Sequence, residues 1–299
     1  MPYQTHRQTA TAGKRQVDAM KIARALTSTP LARQHAFRLA SRGARPREIP
    51  WTRFEPARYA PGALALAADS ARSLAKGEYG AVTLFAHVTS ALAFAGAPFD
   101  LIAAAAQIPA DEIRHADYAC QMAALCAGRD VARVELDVDE DVLHRRTAPL
   151  RDMEALDVFM IELPAISETL AAALLDACRV GATDPVARAF FGNIVRDEVH
   201  HARLGWYYLA WRAPQWSSAE RCRLSAVAAS LVLEVAQRFQ RGRDAPPGLE
   251  SHARALGVLD TPHQRAALEA VMDDEIVPGL DAVGLRASRA WRTRARGAA

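Results

Sequence analysis

The sequence predicts an all-α fold: a four-helix bundle with a long connection in its middle and further helices at both ends. Three observations carry this. Apolar residues recur at helical rather than strand spacing along several long runs. Alanine is abundant, while glycine and proline gather at apparent boundaries, which suits closely packed helices. The step Glu-x-x-His occurs twice, in DEIRHA and DEVHHA, each time inside such a run.

With 299 residues the chain can hold one large domain or two small ones. It divides into a basic extension and connector over 1–60, the bundle over 61–212, and further helices over 213–299 that pack on the bundle or on a partner. A formal charge of +3 does not argue for nucleic acid. The basic residues are uneven, however: the first sixty residues hold twelve Lys/Arg against three acids. The end, RASRAWRTRARGAA, is also basic and reads as a frayed tail. The four cysteines form no Cys-x-x-Cys pair and fit a reducing cytoplasm. The first residues lack the apolar core of a signal peptide. The most apolar run, Ala91 to Ala110, is broken by Gly96, Pro98, Asp100 and Pro109, so it is not a membrane span.

Taken in order, Val17 to Arg42 predicts a helix interrupted near Pro30. Pro46, Pro50, Pro56 and Pro61 mark an extended connector, with Trp51, Phe54 and Tyr59 pinning it to the bundle. A first bundle helix spans 61–95 and a second 98–127, with Gly128 as its stop. Pro109 removes a backbone hydrogen bond and should kink or open the second helix. Residues 129–149 are polar and form the long crossover; Asp137, Asp139, Glu140 and Asp141 resemble a Ca²⁺ loop only weakly. A third helix spans 151–180 and should bend near Pro164. The fourth opens with Asp184 as cap and Pro185 in the first turn, and stops before Pro214. A fifth runs from Ser218 to about Phe239, a polar loop follows, Thr261-Pro262 starts another helix and Pro278 a last one. The acidic run Asp273, Asp274, Glu275 reads as a solvated face.

On a helix, positions i and i+3 share a face, so Glu112 and His115 point the same way, as do Glu198 and His201. Matching carboxylates stand on the preceding helices. Glu78 lies eighteen residues before Gly96, and Glu112 fifteen after Ala97. Glu168 lies thirteen before Gly181, and Glu198 fourteen after Asp184. In antiparallel pairs these positions are level to within about one turn, at ~1.5 Å per residue. Glu162 is about five residues out of level, so Glu168 is preferred and Glu162 is an additional candidate. His87 falls nearly opposite Glu78 on its helix, and His200 is rotated about 100° from His201. Four carboxylates and two imidazoles in one layer form the ligand set of a di-iron or di-manganese site.

This pattern resembles the ferritin-like di-metal carboxylate superfamily over about Ala60 to Trp211. The DE-x-x-H form is similar to its oxygen-activating branch, which includes bacterial multicomponent monooxygenases and the ribonucleotide reductase small subunit. The resemblance implies that Asp111 orients His201 and that Asp197 orients His115. Tyr118, one turn past His115, is a candidate neighbour of the metals. The radical tyrosine of the reductase falls one position later, at Ala119 here, which disfavours a stable tyrosyl radical. The third histidine ligand of p-aminobenzoate N-oxygenases falls at Ile194, which argues against a seven-ligand site.

The function implied is a non-haem di-iron oxidase or monooxygenase. It would activate O₂ at two Fe ions (Fe²⁺/Fe³⁺; alternatively Mn/Fe or Mn/Mn) and oxidise a small organic substrate. A separate electron-donor protein is expected, since no flavin, haem or dinucleotide fingerprint is present. A homodimer is possible, through the apolar fifth helix. Small residues near the ligands, Ala116, Ala165, Ala172, Ala202 and Gly205, either leave room for substrate or permit close helix packing. The other readings are a ferroxidase or iron-handling protein, a manganese catalase-like protein, and a metal-free helical interaction protein.

Overall fold

A computed structural model describes residues 48–130, 136, 152–238 and 244–294. The helix expected over 17–42, nearly all of the crossover and the acidic run 137–141 lie outside these residues. The described residues are all-helical, with no strand among them.

Four long helices form the centre: α1 (Pro61–Phe94), α2 (Phe99–Cys126), α3 (Met153–Gly181) and α4 (Pro185–Arg212). α1 packs along α2, α3 along α4, and α2 against α4. The turns between them are built by short-range chemistry. Gly96 takes a φ of 67°, so Gly96 N–H reaches Ala93 O and Ala97 N–H reaches Leu92 O. This pair of bonds satisfies the last carbonyls of α1 and reverses the chain. Between α3 and α4, Asp184 Oδ1 accepts from Val186 N–H and Ala187 N–H at 2.8 and 2.9 Å. Tyr59 Oη donates to the other oxygen of Asp184 at 2.7 Å, which ties the connector to this cap. Phe54 is buried, and Trp51 packs against Phe190.

The two prolines inside the bundle helices behave differently. α2 runs through Pro109 as one continuous helix. α3 is not uniform: Met153–Met160 is α, Ile161–Ser167 is π and Glu168–Gly181 is α again. Pro164 has no N–H to donate inside that stretch, and a wider turn accommodates the loss. Ser167 Oγ donates to Glu162 O across it at 2.8 Å. The widened turn sits directly against α4. A β-carbon on Gly205 would fall 2.6 Å from Ala165 Cα. At this pair, small residues serve close helix packing.

Beyond α4 lie α5 (Ser218–Arg238), α6 (Glu250–Ala255), α7 (Thr261–Val271, continuing as a π turn Met272–Ile276 and Val277–Ala282) and α8 (Ala287–Thr293). Ser217 and Glu220 form a reciprocal cap at the start of α5. α6 falls in the stretch expected to be a polar loop; at six residues it is too short to show a period. The supposed frayed tail is α8 as far as Thr293. Trp291 is buried and donates its indole N–H to Asp273 Oδ1. Asp273 is therefore not purely solvated. α5 packs on the first half of α3, and α7 on the second. Asp157, on α3, joins the two regions: it is fully buried and accepts from Tyr208 Oη at 2.7 Å and Trp216 Nε1 at 2.8 Å. Arg212 Nε stands 3.2 Å from the same carboxylate.

Met153–Gly181 is the one helix, among the described residues, long and apolar enough to cross a membrane. Of its apolar window 61% is buried inside the protein, as in a core helix.

Two substitutions test this packing. Gly205→Ala should lower unfolding free energy by about 1–3 kcal/mol through overpacking. Asp157→Ala should lower it by about 3–5 kcal/mol, because a buried phenol and indole lose their acceptor and a buried guanidinium its counter-charge. Urea denaturation of each variant measures both; an unchanged midpoint would refute the corresponding contact.

Candidate metal centre

Each long helix contributes to one buried layer. α1 supplies Glu78, α2 Glu112 and His115, α3 Glu168, and α4 Glu198 and His201. All six are buried, and both histidines are wholly inaccessible. Ligand atoms of Glu112, His115, Glu198 and His201 lie within 4.8 Å of one another, and the four could hold a metal ion.

The distances separate central from flanking carboxylates. Glu112 places Oε2 3.7 Å from His115 Nδ1 and Oε1 3.2 Å from His201 Nδ1. Glu198 places Oε1 3.0 Å from His115 Nδ1 and Oε2 3.5 Å from His201 Nδ1. Each of these carboxylates thus offers one oxygen to each histidine. Glu78 stands only on the His115 side, at 3.8 Å, and Glu168 only on the His201 side, at 4.0 Å. The imidazole centroids are 5.6 Å apart. Two carboxylates are thus shared between the two histidines, and two are terminal, each beside one histidine.

The donor set passes a direct test of fit to a cation. Both oxygens of Glu112, Oε1 of Glu198 and Nδ1 of both histidines are buried without a hydrogen-bond partner. Buried polar atoms are otherwise almost always satisfied. These five all face the centre of the layer. Carboxylate oxygen and imidazole nitrogen suit iron, manganese or zinc.

The outward nitrogens are held from across the layer. His115 Nε2 lies 3.3 Å from Asp197 Oδ2, and His201 Nε2 lies 3.4 Å from Asp111 Oδ2. An N–H donated outward leaves Nδ1 as the inward lone pair. Between the two aspartates sits Arg114, donating to Asp111 at 2.6 Å and Asp197 at 2.8 Å. The sequence reading missed Arg114. Its i+3 spacing from Asp111 was visible, but its reach to Asp197 crosses between helices.

Electrostatics follows from this geometry. Burial pushes Glu78 and Glu168 well above the usual carboxylate range, with the charges of neighbouring glutamates adding to it. Burial also opposes ionisation of Glu112 and Glu198, yet the adjacent imidazoles outweigh it and hold both low. The carboxylates correspondingly raise both histidines against the effect of burial. Burial of Asp197 is likewise outweighed, by His115 and Arg114, and its carboxyl sits at about 2. Divalent cations would displace these site protons on binding.

The other candidates are not among the four clustered residues. Glu162 is in the π turn of α3 and half-buried. His87 donates Nδ1–H to Thr83 O, within its own helix. His200 is half-buried beside the cluster. Tyr118 packs on Trp51, ring centroids 6.3 Å apart, and its hydroxyl makes no hydrogen bond to the site among the described residues.

No protein-family model, curated protein or solved structure matches the chain. Its residues alone carry the functional reading.

Arg114→Leu should leave the helices intact but weaken metal binding about 10–100-fold, since residues that orient ligands typically contribute that much. Competition with a chelator measures it; unaltered affinity would reduce Arg114 to a surface ion pair.

Proposed function

We propose that the chain is a non-haem di-iron oxidase or monooxygenase. Glu78, Glu112, His115, Glu168, Glu198 and His201 would hold two iron ions, and O₂ would oxidise a small organic substrate. The observation that carries this reading is the convergence of five unpartnered, buried ligand atoms in a layer where two carboxylates each span both histidines. The resemblance of the paired DE-x-x-H steps to the oxygen-activating branch of the ferritin-like superfamily supports it further.

Bound iron would supply the electron-transfer chemistry that amino-acid side chains lack. The protein does the rest. Glu112 and Glu198 fix the spacing of the two centres, and Glu78 and Glu168 close the ends. Asp111, Asp197 and Arg114 set the imidazole tautomers and keep the rings from turning. Apolar packing on both sides of the layer excludes water. Six side chains leave coordination positions open for O₂. For a monooxygenase the balance is RH + O₂ + 2e⁻ + 2H⁺ → ROH + H₂O, the electrons coming from a separate donor protein. For an oxidase the substrate itself supplies them.

Elemental analysis after anaerobic loading with Fe²⁺ should find about two metals per chain, the capacity of such a ligand set. Glu112→Ala and His201→Ala should abolish that stoichiometry, and O₂ should then produce a transient absorption in the native protein alone. Substoichiometric metal indifferent to both substitutions would sink the proposal. Many irons per chain would instead indicate iron storage, and O₂ release from H₂O₂ a catalase.

A further inference from the structure

A cavity of about 360 Å³ opens between α1, α2, α3 and α4, at the end of the bundle where α3 turns into α4. Its position relative to the metal layer can be read from helix register. Ala71 on α1 is seven residues before Glu78, and Met122 on α2 is seven after His115. Leu175 on α3 is seven after Glu168, and Phe190 on α4 is eight before Glu198. Seven residues are about two turns, so Ala71, Met122 and Leu175 sit on the same helix faces as the ligands, ~10 Å farther along, whereas Phe190, eight residues away, is rotated about 80° from Glu198. The cavity therefore lies about two turns along the bundle from the ligand layer, on the ligand-bearing faces of α1, α2 and α3.

What separates them is thin. One turn from the ligands the four helices present Ala75, Ala119, Ala172 and Ile194. Beside them stands Leu74, four residues before Glu78 and itself part of the cavity wall. On the far side the cavity is closed by the loop after α6. That loop is fixed from two directions: Thr183 and Asp184 both donate backbone N–H to Ala255 O, and Gly257 packs so closely on Phe191 that an added β-carbon would collide with its ring. The walls carry no charged side chain. Their polar groups are the Ser70 hydroxyl, the Gln264 amide and the Cys178 thiol, which burial pushes up to about 12 and so keeps neutral.

We infer that this cavity is the substrate pocket of the metal centre, and that it takes a neutral, mainly apolar molecule with a single hydrogen-bonding group. At protein packing density it would hold about a dozen non-hydrogen atoms. Gln264 and Ser70 engage the polar group, and the apolar body points toward the ligand layer, with Leu74 at its leading end. An ionised substrate is rejected because nothing in the walls offsets a buried charge. This inference rests on the di-metal reading for its substrate role.

The test uses 2-naphthol, a neutral bicycle with one hydroxyl, and 2-naphthoate as its charged analogue. Both are titrated into the full chain loaded with Mn²⁺ or with diamagnetic Zn²⁺, and ligand proton relaxation is followed by NMR. The expected result is saturable naphthol binding, with Mn²⁺-specific broadening that reports a metal distance of about 10 Å. Naphthoate should bind at least about tenfold more weakly, as follows from the penalty on unpaired buried charge. Leu174→Trp and Ser70→Phe fill the cavity from two half-buried wall positions on different helices. Each should weaken naphthol binding at least about tenfold while metal content stays unchanged, since neither residue is a ligand. Absent binding, binding indifferent to both variants, or broadening no greater with Mn²⁺ than with Zn²⁺ in a protein that holds both metals would overturn the inference and leave the di-metal centre standing. Failure to take up Mn²⁺ or Fe²⁺ would overturn the di-metal reading, and with it the substrate role.

Discussion

The constraint on which the rest of the structure depends is the burial of six ionisable side chains in one layer. A lone buried carboxylate would shift its pKa or destabilise the fold. Here the groups compensate one another: two carboxylates favour the protonated form, two the ionised form, and both imidazoles the charged form. That compensation works only if four helices hold their ligands level. The layer also divides the apolar core. One cluster, containing Phe85, Leu101, Leu204 and Trp291, lies on one side; another, containing Ala71, Met122, Phe190 and Leu256, lies on the other. Each cluster clamps the polar layer from its own end.

The scaffold shows how such a layer is kept in register. The Gly96 turn and the Asp184 cap fix the antiparallel pairs by backbone hydrogen bonding, independently of the site. The contact of Gly205 with Ala165 sets the closest approach of α3 to α4 one turn beyond His201. The π turn of α3 falls at that contact. An extra residue there changes the angular register between Glu162 and Glu168, and leaves Glu168 on the inner face. Asp157, with Tyr208, Arg212 and Trp216, then locks the end of α4 to the start of α3. The two ends of the bundle thus differ in character. One is cross-linked by buried polar groups; the other is hollow and lined with apolar side chains.

The central helices and the ligand layer were legible because their signals are local and periodic. Glu-x-x-His places two groups on one face by helical geometry alone, and the residue count from each turn sets the height of the partner glutamates. Helix caps were equally plain, since Pro185, Asp184 and Gly128 act through their own backbone. Less was visible where an element owes its form to a distant surface. α8 carries the composition of a solvated tail, yet Trp291 buries its ring and finds Asp273. α6 has too few residues to show a period. Pro109 and Pro164 look alike as helix interruptions, but one sits in an unbroken α-helix and the other in a π turn.

The sequence by itself therefore determined the all-α class, the ends of the four long helices and the identity of the residues that could meet in the core. Those features depend on spacing, and spacing is written in the chain. Only the tertiary structure decided which carboxylates are shared and which are terminal, that Arg114 spans both aspartates, and that small residues at 165 and 205 serve contact. It alone showed an apolar cavity at the end of the bundle where α3 turns into α4. Each of these is a relation between helices, fixed by packing at ångström scale, and no period along one chain encodes it.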